Sequence, residues 1–437
     1  MTVPGSRCSR RRWLARAAAA ATAPLALGAC TRRDAASAPL RFWAMGREGE
    51  VAPALLDGFA RAHPGHPGVR VEQLPWSAAH EKLLTAFAGD STPDVAQLGN
   101  TWIAELAALG ALEPLAPWLD AAGLGGADVF EGIWNTNRID GTLYGLPWYV
   151  DTRLLFYRRD LFARAGVAAM PEDWAGFVRA LDALQGSGVP HPLLLPLTEF
   201  EPLLAFALQQ GDPLLRDGGR WGNFRGAGFR RALAFYLDRF ARGHAPYLTG
   251  NRIANLWQEF GRGTFAAFIS GPWNIGELER RLPASQQADW ATAPLPGPHG
   301  PGASTAGGSS LVIFRRSRRK AEAMRLLEYL SRPEVQLRFH ALTGNLPPRR
   351  ATWRLARAGG VPLADDPRAA AFARQLERVV AAPAVPEWER IAQEMQLQAA
   401  QAQHDGTPVD AACAALDARV DGFLAKRRWM LERHRAA

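Results

Sequence analysis

The sequence predicts an α/β protein built as two lobes, and three observations carry that reading. The chain has 437 residues, more than one ordinary hydrophobic core organises, so two domains are expected. Its composition is globular, with 48% hydrophobic and 21% charged residues. Between residues 40 and 110, short β-rich runs alternate with segments of helical period, which is the pattern of a parallel sheet covered by helices.

The first strand and helix come from LRFWAM (40–45), which is apolar and strand-like, and from the segment after it, which places Val51, Leu55 and Phe59 at helical spacing. VRVEQLPW (69–76) predicts a second strand, succeeded by a helix carrying Leu83, Leu84 and Phe87. PDVAQLG (93–99) predicts a third, succeeded by TWIAELAALG with Thr101 as N-cap and Gly110 as stop. In such sheets ligands sit beyond the carboxyl ends of the strands. The loops there put a tryptophan beside polar groups three times: Trp43 with Glu48, Trp76 with Ser77 and His80, and Trp102 with Asn100.

Asp140-Gly141 is a turn signal, and YGLPWYV and RLLFYRR read as strands around Asp151-Thr152. DLFARAGV is a helical turn closed by Gly166, and the next helix has Pro171 near its first turn. TFAAFISGPW predicts a strand of a second sheet, with Trp273 on the turn at its end. APLPGPHGPGASTAGG (293–308) is a Pro/Gly-rich crossing loop. GGSSLVIFRRS (307–317) is a strand entering the helix KAEAMRLLEYL, and TGNLPPRRATW (343–353) is an ordered turn. From about Pro386 the chain reads as amphipathic helix.

Charge and cysteine usage narrow the function classes. Of the net charge of +9, Arg7, Arg10, Arg11, Arg12 and Arg16 supply +5 within residues 1–29, which hold no acid; +4 remains for the rest. No basic stripe with interleaved aromatics occurs, which argues against a nucleic-acid partner. The cysteines Cys8, Cys30 and Cys413 suggest no disulfide in the mature chain. His63 and His66 lack a third ligand nearby, so no metal is expected, and no P-loop, dinucleotide, G-x-S-x-G or H-E-x-x-H motif occurs.

The N-terminus SRRRWLARAAAAATAPLALGAC is a basic segment, a weakly apolar run, then small residues and a cysteine, the form of an export signal over residues 1–29. Residues 9–14 resemble a twin-arginine motif with Trp13 where Phe is usual. Leu27-Gly28-Ala29-Cys30 resembles a lipobox, in which Cys30 carries lipid and becomes the mature N-terminus; an ordinary cleaved signal is the alternative. Residues 30–39 then read as a flexible tether to a membrane surface.

From roughly residue 40 onward the sequence resembles the extracellular solute-binding proteins of family 1, the sugar-capturing components of ABC importers that include the maltose-binding proteins. DGTLYGLPWYVDTRLLFYRRDLF, FISGPW, GGSSLVIFRRS and TGNLPPR, in that order, carry the resemblance. It implies a two-lobed periplasmic-binding-protein fold with a hinge and an interlobe cleft. The first lobe would take 40–147 and 305–346, and the second 148–304 and 347–437. It implies an extracytoplasmic, non-catalytic, monomeric binding protein without a cofactor, whose partners are a sugar ligand and the importer's permease subunits.

The residue types suit a sugar. A pyranose has C–H faces that stack on an indole and a rim of hydroxyls that pair with carboxylates, amides and arginines. The resemblance assigns Trp273 of the GPW turn to stacking. The other candidates are Trp43 and Glu48, Asn100 and Trp102, each shared between a cleft and a core reading. Asp151 stands at the hinge beside Tyr149 and Trp148, of which alternation lets one face the ligand. Gly307 and Gly308 permit close backbone approach. Arg350 fits either a cleft or a surface ion pair, and Trp257 and Glu199 are placed by their position in the second lobe. Two rival readings stay open: the same fold holding a polyamine, phosphoester or metal, and a secreted glycan hydrolase, which would need two carboxylates set across a glycosidic bond.

Overall fold

A computed structural model describes residues 38–122, 124–197, 199–247, 255–357 and 359–436. The segment read as an export signal, Cys30 and most of the expected tether lie outside the described residues. The body, Leu40–Ala437, is one compact unit built on two β-sheets. Its nine principal strands are β1 (Leu40–Met45), β2 (Val69–Leu74), β3 (Val95–Gly99), β4 (Gly145–Asp151), β5 (Leu154–Arg158), β6 (His191–Leu194), β7 (Phe265–Ser270), β8 (Trp290–Ala293) and β9 (Gly307–Ile313).

The first sheet has the order β2-β1-β3-β9-β4. β1 is parallel to β2 (Leu40 opposite Val69) and to β3 (Phe42 opposite Val95), as the strand–helix alternation predicts. The sheet is nevertheless mixed, because β9 runs antiparallel to both β3 and β4. β9 returns from the far end of the chain, so no local pattern announces its direction. The consequence is functional. Ser309 lies opposite Gly99 and Gly307 opposite Asp151, so the start of β9 joins the ends of β1, β2, β3 and β4 on one edge.

Side chains alternate across β1, as the strand period requires. Leu40, Phe42 and Ala44 pack with Leu55, Phe59 and Trp148 on one face. Trp43 and Met45 pack with Leu83, Trp102 and Phe314 on the other. Both faces are therefore core.

The second sheet has the order β8-β5-β7-β6, with β5 antiparallel to β7 and β8, and β6 parallel to β7. Ser270 lies opposite Leu154, so the end of β7 and the start of β5 share an edge. Phe156, Phe268, Trp290 and Phe372 fill one face. Leu155, Leu193, Phe206, Leu233 and the C-terminal helices Trp388–Asp405 and Val409–Phe423 cover the other. Cys413 is free and buried among them.

Several local expectations shift. Thr101 caps no helix: Asn100–Trp102 form a 3-10 turn leading into Ile103–Ala108, without a side-chain cap. The helix expected near Pro171 starts at Trp174, where Asp173 is the N-cap and its Oδ1 accepts from the Gly176 amide at 2.6 Å. Within the crossing loop, Ser304–Thr305 pairs with Val379–Val380 as a short parallel ladder. The rings of His63 and His66 pack on Phe59 at 4.8 and 4.7 Å. No helix among the described residues is long and apolar enough to cross a membrane, and none of their acid, histidine and cysteine clusters could hold a metal.

Candidate ligand-binding site

The chain passes from β4 of the first sheet to β5 of the second through Thr152 and Arg153. That short passage sets the ligand-facing edges of the two sheets across a cavity of about 660 Å³, lined from both sides. Its size lies within the usual range for small-ligand sites.

The first-sheet wall grows from strand ends. After β1, Glu48 sits in the first turn of the helix Gly46–Ala62, where a carboxylate faces the positive end of the helix. Its Oε1 accepts from Asn345 Nδ2 at 2.7 Å. After β2, Trp76 opens its helix and is 38% exposed. After β3, the 3-10 turn presents Asn100 and Trp102, and Asn100 Nδ2 donates to the Ala306 carbonyl at 2.7 Å. The rings of Trp76 and Trp102 meet edge to face, 5.6 Å apart. Tyr149 lines the cavity from β4, while its neighbour Trp148 is 1% exposed and stacks on Phe339 in the core. Gly307 and Gly308 form the floor, where a Cβ would come within 2.0 Å of the Asp151 carbonyl or 2.4 Å of the Tyr149 carbonyl. No larger residue fits there.

The second-sheet wall centres on Trp273. β7 ends at Ser270, and the helix Trp273–Arg281 begins after a two-residue turn. Gly271 explains the turn: a Cβ there would lie 1.9 Å from the Trp273 ring and 2.5 Å from Asp151 Oδ1. Glycine lets the indole fold back over the turn and face the cavity. The Arg153 guanidinium lies 4.8 Å from the centre of that ring. Its Nη1 donates to Asp151 Oδ1 at 3.1 Å and its Nη2 to Glu201 Oε1 at 2.7 Å. A cation over an indole, held by two carboxylates, fixes the ring in place. Phe200 and Glu201 arrive after β6, and Glu389 from the N-terminal turn of the helix Trp388–Asp405.

The structure thus brings eight of the sequence-predicted residues to one cavity: Trp273, Glu48, Asn100, Trp102, Asp151, Tyr149, Gly307 and Gly308. Four lie elsewhere, among them Glu199, which does not line the cavity although Arg153 acts on its charge. Trp43 is 4% exposed; strand alternation turns it into the core, and Lys82 Nζ covers its ring at 4.8 Å. Trp257 donates to Asn274 Oδ1 at 2.9 Å under the Arg281 guanidinium, away from the cavity. Arg350 is on the surface, paired with Glu377 at 2.5 Å. Asn274, next to Trp273 in sequence, turns inward and donates to Ser270 Oγ at 2.8 Å.

Arg153, Glu201, Glu389 and Asn345 escaped the sequence reading. Arg153 stands two residues after Asp151 at the lobe passage, and that spacing was the one local signal available. The other three reach the cavity through distant parts of the chain.

Burial dominates the electrostatics. It pushes the Asp151 carboxyl up to about 6; Arg153 offsets part of this, while Glu201 and Glu48 add to it. Burial likewise raises Glu48 and Glu389, and it lifts Tyr149 well above the usual phenol value. Arg153 is held above its ordinary range: burial alone would lower it, and Asp151 and Glu201 more than compensate.

Two α/β lobes with a polar, indole-lined cavity between their strand ends define a solute-binding protein of the two-lobed kind. The chain belongs to the bacterial extracellular solute-binding protein family, whose model matches residues 45–337. Its fold is similar to that of the sugar-binding protein MalE from the phytopathogen Xanthomonas citri, with 52% identity and a TM-score of 0.86 over 90% of this chain and 99% of that one. A putative binding protein of Brucella abortus is 24% identical over 340 residues, 75% of this chain and 79% of the relative. The diacetylchitobiose binding protein DasA of Streptomyces coelicolor is 26% identical over 264 residues, 60% of this chain and 61% of that protein.

Proposed function

We propose that the protein captures a sugar or oligosaccharide in the cleft and delivers it to the permease subunits of an ABC importer. One observation carries the carbohydrate reading: indoles stand on both walls, Trp76 and Trp102 against Trp273, with carboxylates and amides between them. Flat apolar faces and a hydroxyl-pairing rim are the two things a pyranose needs. The 52% identity with a sugar-binding protein supports the same class. Closure results from ligand contacts made to both walls at once, which favour the closed form.

Lobe limits of 40–147 with 305–346, and 148–304 with 347–437, belong to this reading, with the hinge at the passages between the sheets. So does a monomer held at the membrane by lipid on Cys30. A Cys30→Ala form that fractionates with membranes like the wild type would sink the anchor.

The test of function is thermal unfolding against a panel of neutral mono- and oligosaccharides, with titration calorimetry on each hit. A ligand at 100 times its Kd stabilises the native state by about 2.7 kcal/mol. A panel that leaves the melting temperature unmoved would remove the carbohydrate reading. New reducing ends during incubation would favour a hydrolase instead.

A further inference from the structure

We propose that the cleft sorts its ligands by charge: it takes neutral or amine-bearing glycans and rejects anionic ones, uronates and phosphoesters included. This rests on the carbohydrate reading and narrows it.

Acids outnumber cations inside the cavity, and two of those acids are bonded to no cation among the described residues. Glu48, Asp151, Glu201 and Glu389 line the interior, and Arg153 is the cation set among them. Both Nη atoms of Arg153 are engaged, one by Asp151 and one by Glu201. Its Nε is buried without an acceptor among the described residues. The other lining arginines, Arg47 and Arg280, are exposed and already paired, Arg47 with Glu50 at 2.5 Å and Arg280 with Glu277. Glu277 is also bonded by Arg281 at 2.6 Å, so each rim arginine is already held by an acid of the rim itself.

No cation is bonded to Glu48 or Glu389 among the described residues. The partner of Glu48 is the neutral amide of Asn345. Glu389 stands by Thr101 and Trp102, and His80, which lowers it in part, is itself bonded to Glu105 at 2.7 Å. An anion entering this space meets four carboxylates set against one guanidinium, which two of those carboxylates already hold. Like charges brought together in a partly desolvated site repel strongly. Neutral hydroxyls instead donate to those carboxylates, and an ammonium does so with charge assistance. Burial raises Glu48, Asp151 and Glu389, and neighbouring acids add to the rise at Asp151 and Glu389.

The test uses one ring stereochemistry with three charges. Take the neutral oligosaccharide that binds best, its C6-carboxylate and its C6-amine, and titrate each into the wild-type protein at about pH 7.5 and low salt, where screening is weakest. The expected result is a carboxylate at least tenfold weaker than the neutral sugar, with the amine within threefold of it or tighter. A carboxylate that binds as tightly as the neutral sugar overturns the proposal. In the double variant Glu48→Gln with Glu389→Gln the penalty should shrink at least threefold. A penalty that stays put means steric exclusion and also overturns it. If that variant does not fold, a salt series on the wild type answers the same question, because screening narrows an electrostatic penalty and leaves a steric one alone. If no sugar of any charge binds, the carbohydrate reading falls; spermidine and glycerol 3-phosphate then test charge alone. Spermidine binding supports the sorting rule, whereas glycerol 3-phosphate binding, or silence from both, ends it.

Discussion

The two walls of the cleft hold their tryptophans by different means. On the first-sheet wall, Trp76 and Trp102 brace each other edge to face, with Glu48 beside Trp76 and the His80 ring 5.1 Å from Trp102, and no guanidinium among the described residues over either ring. On the second-sheet wall, Trp273 is clamped beneath a guanidinium that is itself bonded to two carboxylates. The first arrangement depends on packing and tolerates small losses. The second depends on one buried ionic hub and fails as a unit. A ligand ring needs both: an adaptable surface on one side and a rigid plate on the other.

The sharpest way to break this comparison is Arg153→Gln. It leaves Asp151 and Glu201 facing each other without their cation and frees the indole. We expect a loss of about 3 kcal/mol in urea unfolding, together with weaker ligand binding. A loss no larger than that of an exposed ion pair would mean the hub is ornamental.

Trp273→Ala tests the plate directly. Affinity should fall at least tenfold, about 1.4 kcal/mol, in calorimetry on folded protein. Trp76→Ala should cost less, because Trp102 remains on that wall; equal losses would erase the contrast between the walls.

Asp151→Asn sharpens the electrostatic side. The Asp151 carboxyl is raised from its ordinary value to about 6, so the folded state holds that proton more tightly than the unfolded chain. Its contribution to stability is present at low pH and lost as pH rises towards 6 and beyond. The melting temperature of the variant relative to wild type should therefore rise between about pH 4 and pH 6, an effect of about 3 kcal/mol. A pH-independent difference would contradict it.

The smallest effect is expected at Arg350→Ala. Its pair with Glu377 is on the surface, so stability should change by about 0.5 kcal/mol or less and affinity not at all. A tenfold loss of affinity would return Arg350 to the cleft.

Much of the site was legible because strand ends are legible. Trp102, Asn100 and Glu48 come directly after runs whose β character is plain, and parallel strands deliver their trailing loops to one edge. The same logic misplaced Trp43, which lies inside its strand rather than after it, so alternation buries it. Trp257 and Arg350 were placed by neighbourhood alone, and each found a nearer partner, Asn274 and Glu377.

What the sequence by itself determined was the local order: which segments form strands, which turns need glycine, and where a tryptophan comes after a strand end. These depend on side-chain period and backbone freedom, which act over a few residues. Only the tertiary structure decided the antiparallel return of β9, the meeting of Glu48 with Asn345, and the arrival of Glu201 at Arg153 and of Glu389 in the cavity. Those juxtapositions join residues as far as 297 positions apart, and a charge is compensated by whatever lies near it in space, not in sequence.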